Sequence, residues 1–154
     1  MEIFGFAIKT SIAVIAGLLI GLERELRGKH AGLKTHALVA LGSVIFIMLS
    51  LEFQGEKYTD ITRVLSQVII GIGFIGGGTI MKKGKDVEGL TTAATIWCSA
   101  GLGCLAGFGY YKEVGIVTAI ILFVNFFFSK LEKKLLERAK RKEKKKKKKE
   151  ENGD

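Results

Sequence analysis

The chain has no proline in its 154 residues and only two cysteines, Cys98 and Cys104. Without proline, no apolar stretch carries the kink that a missing backbone N–H imposes. The two thiols lie six residues apart in one apolar run, with no CxxC pattern and no histidine beside them. Neither a disulfide framework nor a cysteine metal site follows from that spacing. Acidic residues are scarce too: residues 1–129 hold 9, all at the ends of apolar runs or between them. No nucleophile–base pair, metal-ligand cluster or phosphate loop stands in a context that would support catalysis, so an enzyme is not expected. The N-terminal apolar stretch lacks a small-residue cleavage site, and more apolar runs follow it, so it does not read as a removable signal peptide.

What the chain does contain is segregated. It is 48% hydrophobic and yet carries 24 Lys and Arg. From Lys130 onward there are 13 basic and 6 acidic residues, so most of the net charge of +9 describes the tail. The 20 glycines lie mostly inside apolar runs, as in membrane helices.

A helix needs about 20 apolar residues to cross a bilayer, with a range of roughly 17 to 25. Five stretches meet or approach that length: about Ile3 to Leu22, His36 to Phe53, Val64 to Met81, Thr91 to Phe108 and Val114 to Ser129. The expected fold is therefore all-α, a polytopic membrane helix bundle with about five transmembrane helices. Residues 1–129 form the bundle, and residues 130–154 form a Lys-rich tail, helical at first and then disordered. Basic residues set the orientation. The first loop holds Arg24, Arg27, Lys29 and Lys34, and the third holds Lys82, Lys83 and Lys85. The second has Lys57 and Arg63 set against Glu52, Glu56 and Asp60, and the fourth has only Lys112. The first and third loops and the tail are expected on the cytoplasmic side, with the N-terminus outside. Lys9, two turns into the first span, reads as a snorkelling lysine or as an intramembrane charge with a purpose.

The most distinctive stretch runs from Gly71 through Gly73, Gly76, Gly77 and Gly78 to Thr79. It contains GxGxxG, but a dinucleotide site needs a preceding strand, and this run lies within a membrane-length apolar segment. Two readings stay open: close helix packing, or a break that exposes carbonyls to a cavity. The pairs Gly17/Gly21 and Gly103/Gly107 have small-xxx-small spacing and suit packing. At the end of the first span, Glu23 and Glu25 stand one turn before Arg27 and Lys29. Exposed pairs of this kind contribute about 0.3 to 0.5 kcal/mol each. Against that plain reading, a helix C-terminus disfavours acids. Thr91, Thr92, Thr95 and Ser99 begin the fourth span, with Thr91, Thr95 and Ser99 spaced by four. Gln67 and Asn125 are the amides within spans, Trp97 reads as packing, and His30 and His36 alone make no site.

With the orientation above, Glu23, Arg24, Gly76 to Thr79, Thr91 to Thr95 and Asn125 fall at one depth on the cytoplasmic side. With Glu25 and Arg27 they are expected to line a polar, cytoplasm-facing vestibule. Magnesium favours carboxylates and keeps several waters. Glu23 and Glu25, helped by Asp86 and Glu88, are the candidate ligands of a partly hydrated ion, and no resident cofactor is expected.

Several motifs in order carry a resemblance. They are Gly-Leu-Leu-Ile-Gly-Leu-Glu-Arg-Glu at 17 to 25 with Arg27 and Gly28, Ala31-Gly-Leu-Lys-Thr-His36, Val39-Ala-Leu-Gly42, the run Gly71 to Thr79, and Gly89 to Trp97. Over about residues 3 to 129 the chain resembles the MgtC/SapB family of bacterial inner-membrane proteins, in a short form without the soluble C-terminal domain. The resemblance implies a part in magnesium-limited growth. It allows two roles: divalent-cation transport, or restraint of another membrane complex such as the ATP synthase, with an effect on membrane potential. Expected partners are the lipid bilayer, a second copy in a homodimer, and such a complex, with no nucleic acid.

Overall fold

The computed structural model describes residues 2–57, 60–84 and 86–151, with side chains described through Leu131. Lys85 and the side chains of the tail beyond Leu131, on which part of the charge argument and the tail boundary fell, lie outside the described residues. Five helices occur among the described residues: α1 (Ile3–Leu26), α2 (Leu33–Glu52), α3 (Ile61–Gly77), α4 (Leu90–Phe108) and α5 (Tyr111–Glu151). Two three-residue strands, β1 (Met81–Lys83) and β2 (Asp86–Glu88), form an antiparallel hairpin between α3 and α4. The chain divides into two units, Met1–Ile121 and Leu122–Asp154.

Long apolar runs without proline become helices because a lipid core leaves no other way to satisfy backbone N–H and C=O groups. Four helices are long and apolar enough to cross a membrane: α1, α2, α4 and the Tyr111–Leu131 part of α5. The third helix, α3, has 17 residues and covers about 25 Å, at the short end of spanning lengths. Large apolar side chains such as Ile3, Phe46, Phe74, Trp97 and Phe123 are exposed, as a lipid-facing surface requires.

In the first unit, α1, α2 and α4 pack against one another, and α3 lies against α2 and α4. The buried seam of α1 is Ala13, Ala16, Gly17, Ile20, Gly21 and Arg24, spaced by three and four. Its small residues bring the backbones together. A Cβ on Gly17 would lie 2.6 Å from the His36 carbonyl oxygen, and one on Gly21 would lie 2.7 Å from Leu33 Cα. From the other side, a Cβ on Gly103 would strike the Ala40 carbonyl oxygen, and one on Gly107 would lie 2.7 Å from Ile47 Cγ2. Both small-xxx-small pairs thus seat their helices on α2.

The glycine run behaves differently. The helix continues through Gly71 and Gly73 and ends at Gly77, four residues before the Met81 boundary expected from hydropathy. Three consecutive glycines cost roughly 1 kcal/mol each in helix propensity and offer no side chains to hold a further turn. Thr79 then donates its hydroxyl to the Gly76 carbonyl at 2.8 Å, closing the helix end. A Cβ on Gly76 would come into van der Waals contact with Ala93 of α4 at 3.5 Å, whereas one on Gly71, Gly73 or Gly77 would enter open space. After the hairpin, Gly89 adopts φ +93, and a Cβ there would collide with the Thr79 carbonyl. The hairpin can therefore return to the end of α3 and start α4 only with glycine at that position.

Outside the spans, Asp60 caps α3, accepting from the Thr62 hydroxyl at 2.6 Å and its N–H at 2.9 Å. Those two bonds, the hydroxyl first, hold its carboxyl below the usual carboxylate range. Ser50 near the end of α2 donates to the Ile61 carbonyl at 3.2 Å, which ties α2 to the start of α3. In the second unit, Lys130 Nζ stands 4.2 Å from the centroid of the Phe126 ring.

Gly103→Val is expected to lower bundle stability by about 1–3 kcal/mol through overpacking against the α2 backbone. Gly73→Ala, whose methyl enters open space, is expected to lose nothing. Unfolding in mixed micelles, followed by circular dichroism, checks both.

Candidate functional site

The polar groups of the first unit gather at the end where α1 turns into α2. Gly28, with φ +65, ends α1, and the Lys29 N–H bonds back to the Arg24 carbonyl at 3.0 Å. The turn sends α2 antiparallel along α1 and brings its first residues beside the last turn of α1. Gly32 precedes α2 without a side chain to cap it. Glu25 supplies the cap from the neighbouring helix: its Oε2 accepts from the Leu33 N–H at 3.0 Å. An acid near the C-terminus of α1 is disfavoured by that helix and favoured by the N-terminus of the next.

Glu23 pairs with Arg27 across one helical turn and lies 4.0 Å from Arg24 Nη1. Both acids of the Glu-Arg-Glu motif therefore hold the turn together. Arg24 itself points inward and is only 2% exposed. Its Nη2 donates to Thr92 Oγ1 on α4 at 3.3 Å, and its Nε has no hydrogen-bond partner among the described residues.

One turn deeper stands a group that spacing alone did not pick out. His36 is fully buried, and its Nδ1 lies 2.8 Å from Ser99 Oγ on α4. Ser99 Oγ also lies 3.1 Å from the Thr95 carbonyl, and the tautomer of the His36 ring sets which partner receives its proton. The buried ring also has the Ala31 backbone as a neighbour. The structure thus places an intramembrane imidazole where the sequence offered only a histidine near the boundary of a run.

The face of α4 that meets these groups is Thr92, Thr95 and Ser99, all buried. Thr91 is exposed, and its carbonyl accepts from the Thr95 hydroxyl at 2.7 Å. Of the i, i+4, i+8 series beginning at Thr91, Thr95 and Ser99 lie on the buried face and only Thr91, at the first turn of the helix, is exposed, with Thr92 buried in its place. Gly76 reaches the same end through Ala93, and Thr79 through Gly89. Asn125 belongs to the second unit. On the hairpin, Glu88 lies 3.7 Å from Lys83 Nζ, and Asp86 opposes Lys83 in register. Among the described residues no group of three or more His, Cys, Asp or Glu side chains is placed to hold a metal ion.

At the opposite end of the unit, Lys9 Nζ donates to the Gly107 carbonyl at 2.8 Å. It serves one of the last carbonyls of α4, where a helix end favours a cation.

A family model described as the MgtC family matches residues 11–134. The chain belongs to the MgtC family. It is 41% identical over 135 residues to Protein MgtC of Salmonella typhimurium strain LT2, covering 88% of this chain and 57% of that protein. It is 45% identical over 113 residues to Protein MgtC of Brucella abortus strain 2308, covering 73% of this chain and 47% of that protein. The chain thus spans about half the length of these MgtC relatives. No solved structure matches it. The family match takes in every residue of the cluster, from Arg24 and His36 to Thr92 and Ser99.

Ser99→Ala removes the hydrogen-bond partner of His36 Nδ1 and leaves a buried ring nitrogen unpaired. The expected loss is about 1–3 kcal/mol of stability, with Ser99→Thr milder because it keeps the hydroxyl. Unfolding midpoints of the two variants in detergent give the comparison.

Proposed function

We propose that this MgtC-family chain serves magnesium homeostasis in the bacterial inner membrane as a regulator of another membrane complex, and that it does not itself conduct the ion. The observation that carries this reading is the buried guanidinium of Arg24 between α1 and α4. A cation path would need Glu23 and Glu25 turned toward the ion. Instead Glu23 is engaged by Arg27, and Glu25 caps α2. A hydrated divalent ion approaching this end would meet a fixed positive charge in a low-dielectric setting, where repulsion is stronger than in water. A regulator needs no such path. It needs a stable membrane body and a surface that fits a partner.

The orientation belongs to the same reading: the turn end faces the cytoplasm, as does the Lys-rich tail. The basic residues Arg24, Arg27, Lys29 and Lys34 near the first loop, with Lys82 and Lys83 in the hairpin, support it. Lys29→Cys is expected to react with an impermeant thiol reagent only in inside-out vesicles. Labelling from the outer face of intact cells would reverse the assignment.

The functional reading is tested by purified protein in liposomes with membrane potential clamped. Magnesium flux is expected to equal that of protein-free vesicles, while a membrane complex such as the ATP synthase co-purifies from native membranes. Flux that disappears on Glu23→Ala would establish transport instead.

A further inference from the structure

The cluster at the turn end accounts for one face of α3, through Gly76. The remainder of that helix presents a different problem. Between α2 and α3 runs a groove of about 480 Å³, walled by Leu38, Gly42 and Phe46 on one side and Val64, Gly71 and Ile75 on the other. Its lining is apolar apart from Gln67 and Ser43. Ser43 already donates to the Val39 carbonyl at 2.9 Å. Gln67 is exposed and has no hydrogen-bond partner among the described residues. It lies near the middle of α3, so its amide faces hydrocarbon whichever end of the helix is inside.

An acyl chain can fill such a groove, but it cannot bond an amide. In hydrocarbon an unmet amide is costly, and helix association is the usual way to meet it. We infer that the groove receives α3 of a second copy of this chain, with Gln67 of each copy bonded to its counterpart across a two-fold axis. Symmetry supports that occupant. Two copies inserted the same way are related by an axis along the membrane normal, and a side chain near that axis meets itself. An amide carries both donor and acceptor, so it is complementary to its own copy.

Shape complements the chemistry. Gln67, Gly71 and Phe74, at i, i+4 and i+7, share one face of α3. Phe74 is 87% exposed, a large apolar knob. Beside it, a Cβ on either Gly71 or Gly42 would meet nothing within 4 Å. Knob and hollow therefore lie on the same face, as an isologous contact requires. In contrast to Gly17 and Gly103, whose missing Cβ atoms admit a helix of the same chain, these two glycines keep space that no part of the first unit uses.

The test uses the full chain in liposomes over a series of protein-to-lipid ratios, with Cys98 and Cys104 replaced by alanine. Gln67→Cys is expected to form an intermolecular disulfide on oxidation. Ile69→Cys, two residues on and on the opposite flank of α3, is expected not to. Without the cysteines, Gln67→Leu is expected to weaken the dimer about tenfold, the equivalent of losing two interhelical hydrogen bonds of ordinary membrane strength. Its unfolding midpoint at high dilution should not fall, because the side chain holds nothing within the protomer. Gly71→Leu, whose Cβ meets nothing in the protomer and whose side chain enters the hollow, should also dissociate the dimer.

Equal cross-linking at residues 67 and 69 would overturn the assignment of the face. A wild type that stays monomeric at every ratio, with lipid in the groove, would overturn the dimer. An undiminished dimer in Gln67→Leu would overturn the role of the amide. None of these readouts depends on magnesium flux or on a co-purifying complex, so this inference and the functional reading fail separately.

Discussion

The first unit depends on how closely α1 and α4 approach the backbone of α2. In lipid, burying an apolar side chain against another helix gains little over leaving it against acyl chains, so association rests on contact distance and on hydrogen bonds between helices. Gly17 and Gly21 let α1 touch the first turns of α2, and Gly103 and Gly107 let α4 touch its middle. Tight packing restores the dispersion contacts that lipid would otherwise supply. It also places polar groups of different helices within bonding distance. Arg24 reaches Thr92, and His36 reaches Ser99, only because the backbones carrying them are this close.

The polar groups in turn restrict what the bundle can do. A buried guanidinium and a buried imidazole are costly in a membrane interior unless their surroundings are arranged for them. Here α4 presents Thr92, Thr95 and Ser99 to meet them. The acids that might attract a divalent ion are committed at the surface of the same end, one to Arg27 and one to the cap of α2. Arrangement, more than composition, is what moves the functional reading from a path for ions toward a body that presents surfaces. The loosest element in that body is α3. It contributes only Ile72 and Gly76 to the buried set and borders the open groove.

Much of the architecture was legible beforehand because hydropathy and helix length are local properties. The expected Thr91 to Phe108 span is observed as Leu90–Phe108, and His36 to Phe53 as Leu33–Glu52. The third boundary failed where three glycines remove the side chains a helix end needs, a local cue that hydropathy averages away. The role of the glycines was harder to read. The conspicuous run from Gly71 does little packing inside the protomer, while the two plain pairs at 17/21 and 103/107 do most of it. Spacing shows that a close approach can occur; which neighbour approaches is not written in it. His36 is hard to read for a related reason. A lone histidine at the edge of an apolar run carries no signature until Ser99, 63 positions away, is brought to 2.8 Å.

The sequence by itself determined that this is a membrane protein of the MgtC family, built of helices because its apolar runs admit no other backbone solution in lipid. It also determined where its charges concentrate. The tertiary structure alone decided which hydroxyls face inward, that Arg24 and His36 are buried partners of α4, and that Gln67 is left facing an open groove. Those outcomes depend on the rotation of each helix about its own axis, and one residue of shift turns a helix by about 100°. Only contact with neighbouring helices sets that angle.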